Sequence, residues 1–176
     1  IGFRGAARVL LEDRSVGEFP EWFDSLGQQT LVGPLPVALV IFVVGLAVAW
    51  ITLGRGAFGR KVYVSGAGAD VARYSGIDVS WLKLRLFIIS SLAAGLAGIL
   101  FASRLGSVRG SLGEFFELDI ITMVLLGGVS IFGGSGTIPG TVLAVLTVAV
   151  MQNALRLANV SVEVQSIALG SLLILS

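Results

Sequence analysis

The chain has 176 residues, of which 55% are hydrophobic and 13% are charged, and its formal net charge is +1. A soluble domain carries about 25% charged residues, so this chain has too little charge to cover a soluble surface. It also has no basic stripe, which argues against nucleic-acid binding. The absence of Cys and His excludes thiol chemistry, disulfides and histidine-based catalysis. We therefore predict a protein of the lipid bilayer, with no catalytic residue, no metal site and no cofactor.

Residues 1–33 precede the first predicted span, 34–53, and are acidic overall. Residues 1–11 fit either the end of an earlier span or a short re-entrant helix. Residues 18–23 combine two Glu with Phe and Trp, the type of residue that is enriched at membrane–water interfaces. We interpret residues 18–23 as an outer loop with aromatic anchors.

Stretches without charge predict the membrane spans, because a helix needs about 20 apolar residues to cross a bilayer. The predicted spans are residues 34–53, 85–103, 118–132, 139–157 and 164–176. Pro34 and Pro36 suit the first turn of the first span. The third span is predicted to be short or irregular, since a Gly- and Pro-rich break at 133–140 ends it, and the sequence stops within the fifth. The fold class is thus an all-α, polytopic transmembrane helical bundle, and we interpret the chain as a fragment.

Charge in the connecting loops predicts the orientation. Residues 54–85 hold six basic and two acidic residues, whereas residues 1–24, 104–119 and 156–163 are acidic or neutral overall. Positive charge is retained on the cytoplasmic side. The 54–84 loop is therefore predicted to be cytoplasmic, and the other three segments to lie outside.

Residues 66–78 form the most unusual part of this inner loop. Asp70 is predicted to cap a short helix over residues 71–75, and Gly76 to terminate it. Val71 and Tyr74 are three residues apart and so share a helix face. A short capped helix on the cytoplasmic side is a suitable surface for a partner protein, although an ordinary connecting loop is the alternative.

The second span carries small residues every four positions. Ser91 and Gly95 form one pair, and Gly98 and Ala102 continue a parallel row that starts at residue 94. Small side chains on one helix face let a second backbone approach closely. We predict helix packing there, and the competing explanation is that membrane helices are simply rich in Gly and Ala.

The sequence context argues against dinucleotide binding and against ion-coupled transport. Residues 54–59 match the spacing of a dinucleotide-binding glycine motif, but a 20-residue apolar span stands where the motif needs a short strand. An ion-coupled carrier usually places an ionisable residue at mid-membrane, and the predicted spans have none there. An ion-coupled secondary carrier and a non-transporting membrane scaffold remain the alternative functions.

Residues 58–79 resemble the inner loop of ribose- and rhamnose-type sugar ABC importer permeases, a family shared with branched-chain amino-acid permeases. In that family the loop has an aromatic-glycine-basic start and an E-A-A-x-x-x-G-like run, and Asp70, Val71, Ala72 and Gly76 stand in those places here. Asp for Glu and Val for Ala depart from the family pattern. The resemblance continues through residues 100–107, 116–121, 124–128 and 133–141.

The resemblance implies that residues 1–176 are the C-terminal part of the transmembrane domain of an ABC permease in the bacterial inner membrane. It implies a subunit that passes a small sugar of the monosaccharide class into the cytoplasm, with ATP hydrolysis on a separate subunit. The implied partners are two cytoplasmic ATP-binding subunits, a second permease subunit and a periplasmic sugar-binding protein. Asp70, Val71, Ala72 and Gly76 are then expected to couple the permease to the ATPase, and no substrate-binding residue is assigned.

Overall fold

The computed structural model describes residues 2–11, 14–32, 35–110, 112–113, 116–161, 164–165, 167 and 170–171. They divide into two units: the first comprises Ile1–Gly56 with Ser80–Glu114, and the second comprises Ala57–Val79 with Phe115–Ser176. The elements in chain order are α1 (Gly2–Leu11), β1 (Val16–Gly17), α2 (Glu21–Gln28), β2 (Thr30–Val32), β3 (Leu35–Pro36), α3 (Val37–Ala49) with a π-helical continuation (Trp50–Arg55), α4 (Ala57–Ala67), α5 (Ala69–Tyr74), α6 (Val79–Leu105), β4 (Ser107–Val108), α7 (Phe116–Leu126) and α8 (Ile138–Leu157). The predominance of helix confirms the predicted all-α class.

Among the residues that the structure describes, three helices are long and apolar enough to cross a membrane: Val37–Arg55, Val79–Leu105 and Ile138–Leu157. They overlap the predicted spans 34–53, 85–103 and 139–157. The second begins six residues earlier than predicted, because Lys and Arg are good helix formers and can extend their charged ends toward water. Charge therefore marks where the apolar stretch begins, not where the helix does.

The third predicted span contains only the eleven-residue helix α7. At about 1.5 Å per residue, α7 is far shorter than the roughly 30 Å of a bilayer core. It ends just before Gly127, six residues before the predicted end of the span, and α8 begins after the glycine-rich break. Most of the fifth predicted span, 164–176, lies outside the described residues.

The start of the first span differs from the prediction in one detail. Pro36 lies in β3 and caps α3, with φ −70° and ψ 144°, so it precedes the first helical turn rather than occupying it. Pro34 lies outside the described residues. The segment interpreted as an outer loop, 18–23, also differs, because α2 begins at Glu21 directly after Pro20. The missing N–H of proline costs little at a helix start.

In the first unit, α2 packs closely against the C-terminal end of α6. A Cβ added to Gly27 would lie 2.8 Å from the Cα of Arg104, so only glycine fits there. The Ser103 hydroxyl is fully buried and donates a hydrogen bond to the Phe23 carbonyl. Next to this contact, β1 and β4 pair antiparallel, with Val16 opposite Val108. These contacts join the segments before α3 to those after α6.

Candidate functional site

The candidate coupling helix is α5, which begins at Ala69 after Gly68. Gly68 is the N-cap, with φ −175° and ψ 114°, and no side chain caps this helix start. The prediction that Asp70 is the N-cap is therefore wrong. Asp70 lies in the first turn, where its negative charge is favourable to the helix dipole. Its carboxylate lies 3.7 Å from the Arg73 guanidinium, and both side chains are largely exposed.

The end of α5 is a complete Schellman motif. Gly76 has φ +74°, and its N–H donates to the Arg73 carbonyl at 2.9 Å. The Ile77 N–H donates to the Ala72 carbonyl at 3.0 Å. These two bonds satisfy carbonyls that the last helical turn leaves without partners. Gly76 is therefore the helix terminator that the sequence predicts.

The side chains of α5 divide into an inner and an outer set. Ala72 is 0% exposed, and α5 packs against α4 within the second unit. Val71 is 63% exposed and Tyr74 is 93% exposed. Val71 and Tyr74 thus form an exposed pair on the one face that their spacing predicts, while the side chain of Ala72 is buried. We call Val71 and Tyr74 the docking pair.

Helix α4 joins α5 to the glycine turn, which we define as residues 133–136 between α7 and α8. A Cβ on Gly66 would lie 2.5 Å from the backbone nitrogen of Gly134, and a Cβ on Gly134 would lie 2.7 Å from the Cα of Ala67. The Tyr63 hydroxyl donates to the Gly136 carbonyl at 3.1 Å. The backbones of α4 and the glycine turn are therefore in direct contact, and a hydrogen bond from a half-buried side chain supports that contact.

The start of α8 is fixed to the residue that follows α7. A Cβ on Gly127 would lie 2.6 Å from the Cα of Thr141, and a Cβ on Gly140 would overlap the Gly127 carbonyl oxygen. Thr137 caps α8, because its hydroxyl accepts a hydrogen bond from the Gly140 N–H at 3.3 Å. A chain of contacts thus runs from α5 through α4 and the glycine turn to α8, all within the second unit.

The residues of this contact chain were missed by the sequence reasoning, which treated residues 57–67 as loop and residues 133–140 only as a helix break. A signal was present, because two clusters of small residues, 65–69 and 133–136, both belong to the inner side under the predicted topology. The two clusters are far apart in sequence, so only the structure shows that they touch.

The small-residue row on α6 has no partner among the described residues of the chain. No atom lies within 4 Å of a Cβ added to Gly95 or to Gly98. Ser91 is also exposed, and Ala102 is half-buried. The row is available for contact with another chain or with lipid, and its packing role stays a prediction.

Each unit brings together segments that are far apart in the sequence. The segments placed outside, 16–28 and 103–108, meet in the first unit. The inner loop and the break at 133–136 meet in the second unit. Each of these contacts lies within one unit, and the topology itself stays a prediction.

Residues 3–176 match the model of a family described as "Branched-chain amino acid transport system / permease component". The chain belongs to this family. It is a multi-pass membrane protein, and membership in a permease family indicates the bacterial inner membrane. No solved structure matches the chain.

Relatives with similar sequences are import permeases. The chain is 41% identical over 160 residues to the autoinducer 2 import system permease protein LsrD of Yersinia enterocolitica, an alignment that covers 91% of the chain and 48% of the relative. It is 40% identical to the protein of the same name from Yersinia pseudotuberculosis and 39% identical to that from Yersinia pestis, with the same coverage. The chain spans about half the length of the curated relatives it matches.

Proposed function

We propose that the chain is part of a permease subunit of an ATP-driven importer that passes a small sugar-like molecule into the cytoplasm. The observation that carries this proposal is the docking pair, presented on a capped helix of the loop whose positive charge predicts the cytoplasmic side. Relatives named as autoinducer 2 import permeases support autoinducer 2, a small sugar-like signalling molecule, as the substrate. Autoinducer 2 is a more specific substrate than the monosaccharide class that the sequence resemblance implies.

The chain contributes no catalytic step in this function. ATP is bound and hydrolysed by two cytoplasmic subunits, which press on α5 through the docking pair. The permease then changes between an outward-open and an inward-open state, and ATP shifts the populations of these two states. A second permease subunit completes the path, and a periplasmic binding protein delivers the substrate.

The proposal assigns separate roles to the residues of the α5 segment, by which we mean helix α5 and the turn that ends it, residues 69–77. Val71 and Tyr74 contact the ATPase, because both side chains are exposed on one face. Ala72 holds α5 against α4 from inside, and Gly76 ends the helix so that its last turn keeps its shape. Asp70 helps to stabilise the first turn and is exposed enough to meet a basic residue of the partner.

Uptake by the full-length protein, assembled with an ATP-binding subunit and a binding protein from the same organism, tests this function. Cells or proteoliposomes should accumulate autoinducer 2 only with ATP, and unlabelled autoinducer 2 should compete better than ribose, rhamnose or leucine. Competition by leucine alone would replace the sugar with a branched-chain amino acid, which is the substrate class in the family description. Uptake that collapses with the ion gradient while ATP is present would establish an ion-coupled carrier instead. No uptake of any of these would favour a scaffold.

A further inference from the structure

The contact between α4 and the glycine turn lies between the docking pair and the candidate membrane span α8. We infer that Tyr63, Gly66 and Gly134 are positioning residues of transport, which hold α4, the glycine turn and the start of α8 together as one rigid joint. This inference rests on the proposed function, because it concerns how movement of α5 reaches a span. It goes further in assigning the transmission to three residues outside the α5 segment.

Close backbone contact is the first reason. At van der Waals distance, side chains in a joint can change rotamer and absorb a displacement, whereas two backbones in contact cannot. Neither Gly66 nor Gly134 has a side chain, so the two backbones meet directly. A Cβ added to Gly66 would lie only 2.5 Å from the Gly134 nitrogen. The distance is far below any normal Cβ contact, so this close approach requires glycine at residue 66.

Directional bonding is the second reason. Tyr63 lies about one helical turn before Gly66 on α4. Its hydroxyl donates a hydrogen bond to the carbonyl of Gly136, two residues beyond Gly134. The contact is therefore fixed at two points on each partner, and two points resist rotation as well as separation. Gly136 is followed by Thr137, the cap of α8, so the joint ends where the span begins.

The packing of α8 against the end of α7 is the third reason. The first turn of α8 packs through Gly140 and Thr141 against Gly127, the residue directly after α7. A displacement of the glycine turn thus moves the start of α8 together with the end of α7. Coupling between distant sites is carried by packed elements of this kind, provided that the displacement changes the equilibrium between two states.

Two substitutions separate a positioning role from a merely structural one. Gly66→Ala places a methyl group into the joint, although alanine favours a helix over glycine. Tyr63→Phe keeps the ring and removes only the donor to Gly136. Gly45→Ala is the matched control, because Gly45 lies in α3 and no described residue has an atom within 4 Å of an added Cβ.

The measured quantity is the amount of substrate taken up per ATP hydrolysed by the assembled importer, with co-purification of the ATPase measured alongside. We expect normal co-purification in all three variants. The transport-to-ATP ratio should fall about tenfold in Gly66→Ala, fall by a smaller factor in Tyr63→Phe and remain unchanged in Gly45→Ala. A lower ratio with the ATPase still bound is the signature of lost transmission.

Either of two results would overturn the inference. One is a transport-to-ATP ratio that stays at the wild-type value in both variants. The other is a parallel fall of uptake and ATP hydrolysis, which shows a structural role only. If Gly66→Ala does not insert, Tyr63→Phe alone decides, since it adds no atom to the joint. Failure of the proposed function looks different, because substitutions in the docking pair would then leave ATPase binding unchanged.

Discussion

Gly76 offers a graded test of the α5 segment, because its backbone conformation is unfavourable for other residues while its surroundings are open. Its φ is +74°, and in the described part of the chain nothing lies within 4 Å of an added Cβ. A substitution therefore has a conformational cost without a steric one inside the chain. An L-residue in the left-handed region costs about 1–2 kcal/mol, and Asn tolerates it better than most. The expected order of damage is Asn, then Ala, then Val.

The size of the effect follows from the length of α5. A helix of six residues has little intrinsic stability, so its Schellman motif is a large part of what keeps it folded. Losing about 1–2 kcal/mol lowers the ratio of folded to unfolded helix by about 5–30-fold. Since a partner binds only the competent fraction, its apparent affinity falls by up to the same factor.

The assay compares Gly76→Asn, Gly76→Ala and Gly76→Val in the full-length permease. ATPase affinity and initial uptake rate should fall least in Gly76→Asn and most in Gly76→Val, at equal permease levels in the membrane. Gly76→Asn is the control for a polar side chain at this position. Wild-type affinity in Gly76→Val, or equal damage from Asn and Val, would refute the argument that the left-handed terminator supports docking.

Three other predictions test the topology, the division of roles within α5 and the small-residue row. Since the chain has no native Cys, Tyr74→Cys and Ser107→Cys should react with impermeant thiol reagents from opposite sides, Tyr74→Cys from the cytoplasm; labelling of both from one side would contradict the topology. Val71→Glu should keep the normal membrane level of the permease and lose ATPase co-purification. Ala72→Glu should instead lower the membrane level of the permease, because burying an unpaired charge costs several kcal/mol. Equal membrane levels of the two variants would show that Ala72 is not buried in the folded loop. Gly98→Leu should reduce yield or monodispersity in detergent if the row packs against another chain, and wild-type behaviour would indicate that the row is only composition.

The long apolar helices were predictable because a bilayer imposes a simple rule on each residue. The runs between charged residues overlap α3, α6 and α8 without knowledge of any contact. The helix ends were less predictable, as α6 shows by including Lys83 and Arg85. Helix α4 was missed because Gly59, Gly66 and two adjacent basic residues give it the composition of a loop. Its contact with the glycine turn supplies the stability that its sequence lacks.

The α5 segment shows how local and distant information differ. Gly76 was predicted as terminator because a left-handed residue after a short helix is a local requirement. Asp70 was wrongly predicted as the cap, since Asp suits both an N-cap and a first turn and the sequence alone does not separate the two. The burial of Ala72 depends on tertiary contacts, which the sequence did not reveal. The spacing of Val71 and Tyr74 placed them on one face of α5, but their exposure depends on tertiary contacts and is known only from the structure.

The glycines of the second unit oppose the usual interpretation of glycine as a source of flexibility. A flexible loop between the docking pair and α8 would absorb movement, because a force is transmitted only through contacts that do not yield. The structure places Gly66, Gly127 and Gly140 where a single added methyl group would overlap another backbone. Glycine therefore permits the closest packing in this unit, and its effect is to stiffen. At Gly45, by contrast, an added Cβ meets no described residue. The effect of Gly→Ala thus depends on contact and not on composition: the transport-to-ATP ratio should fall for Gly66, Gly127 and Gly140 and stay at the wild-type value for Gly45.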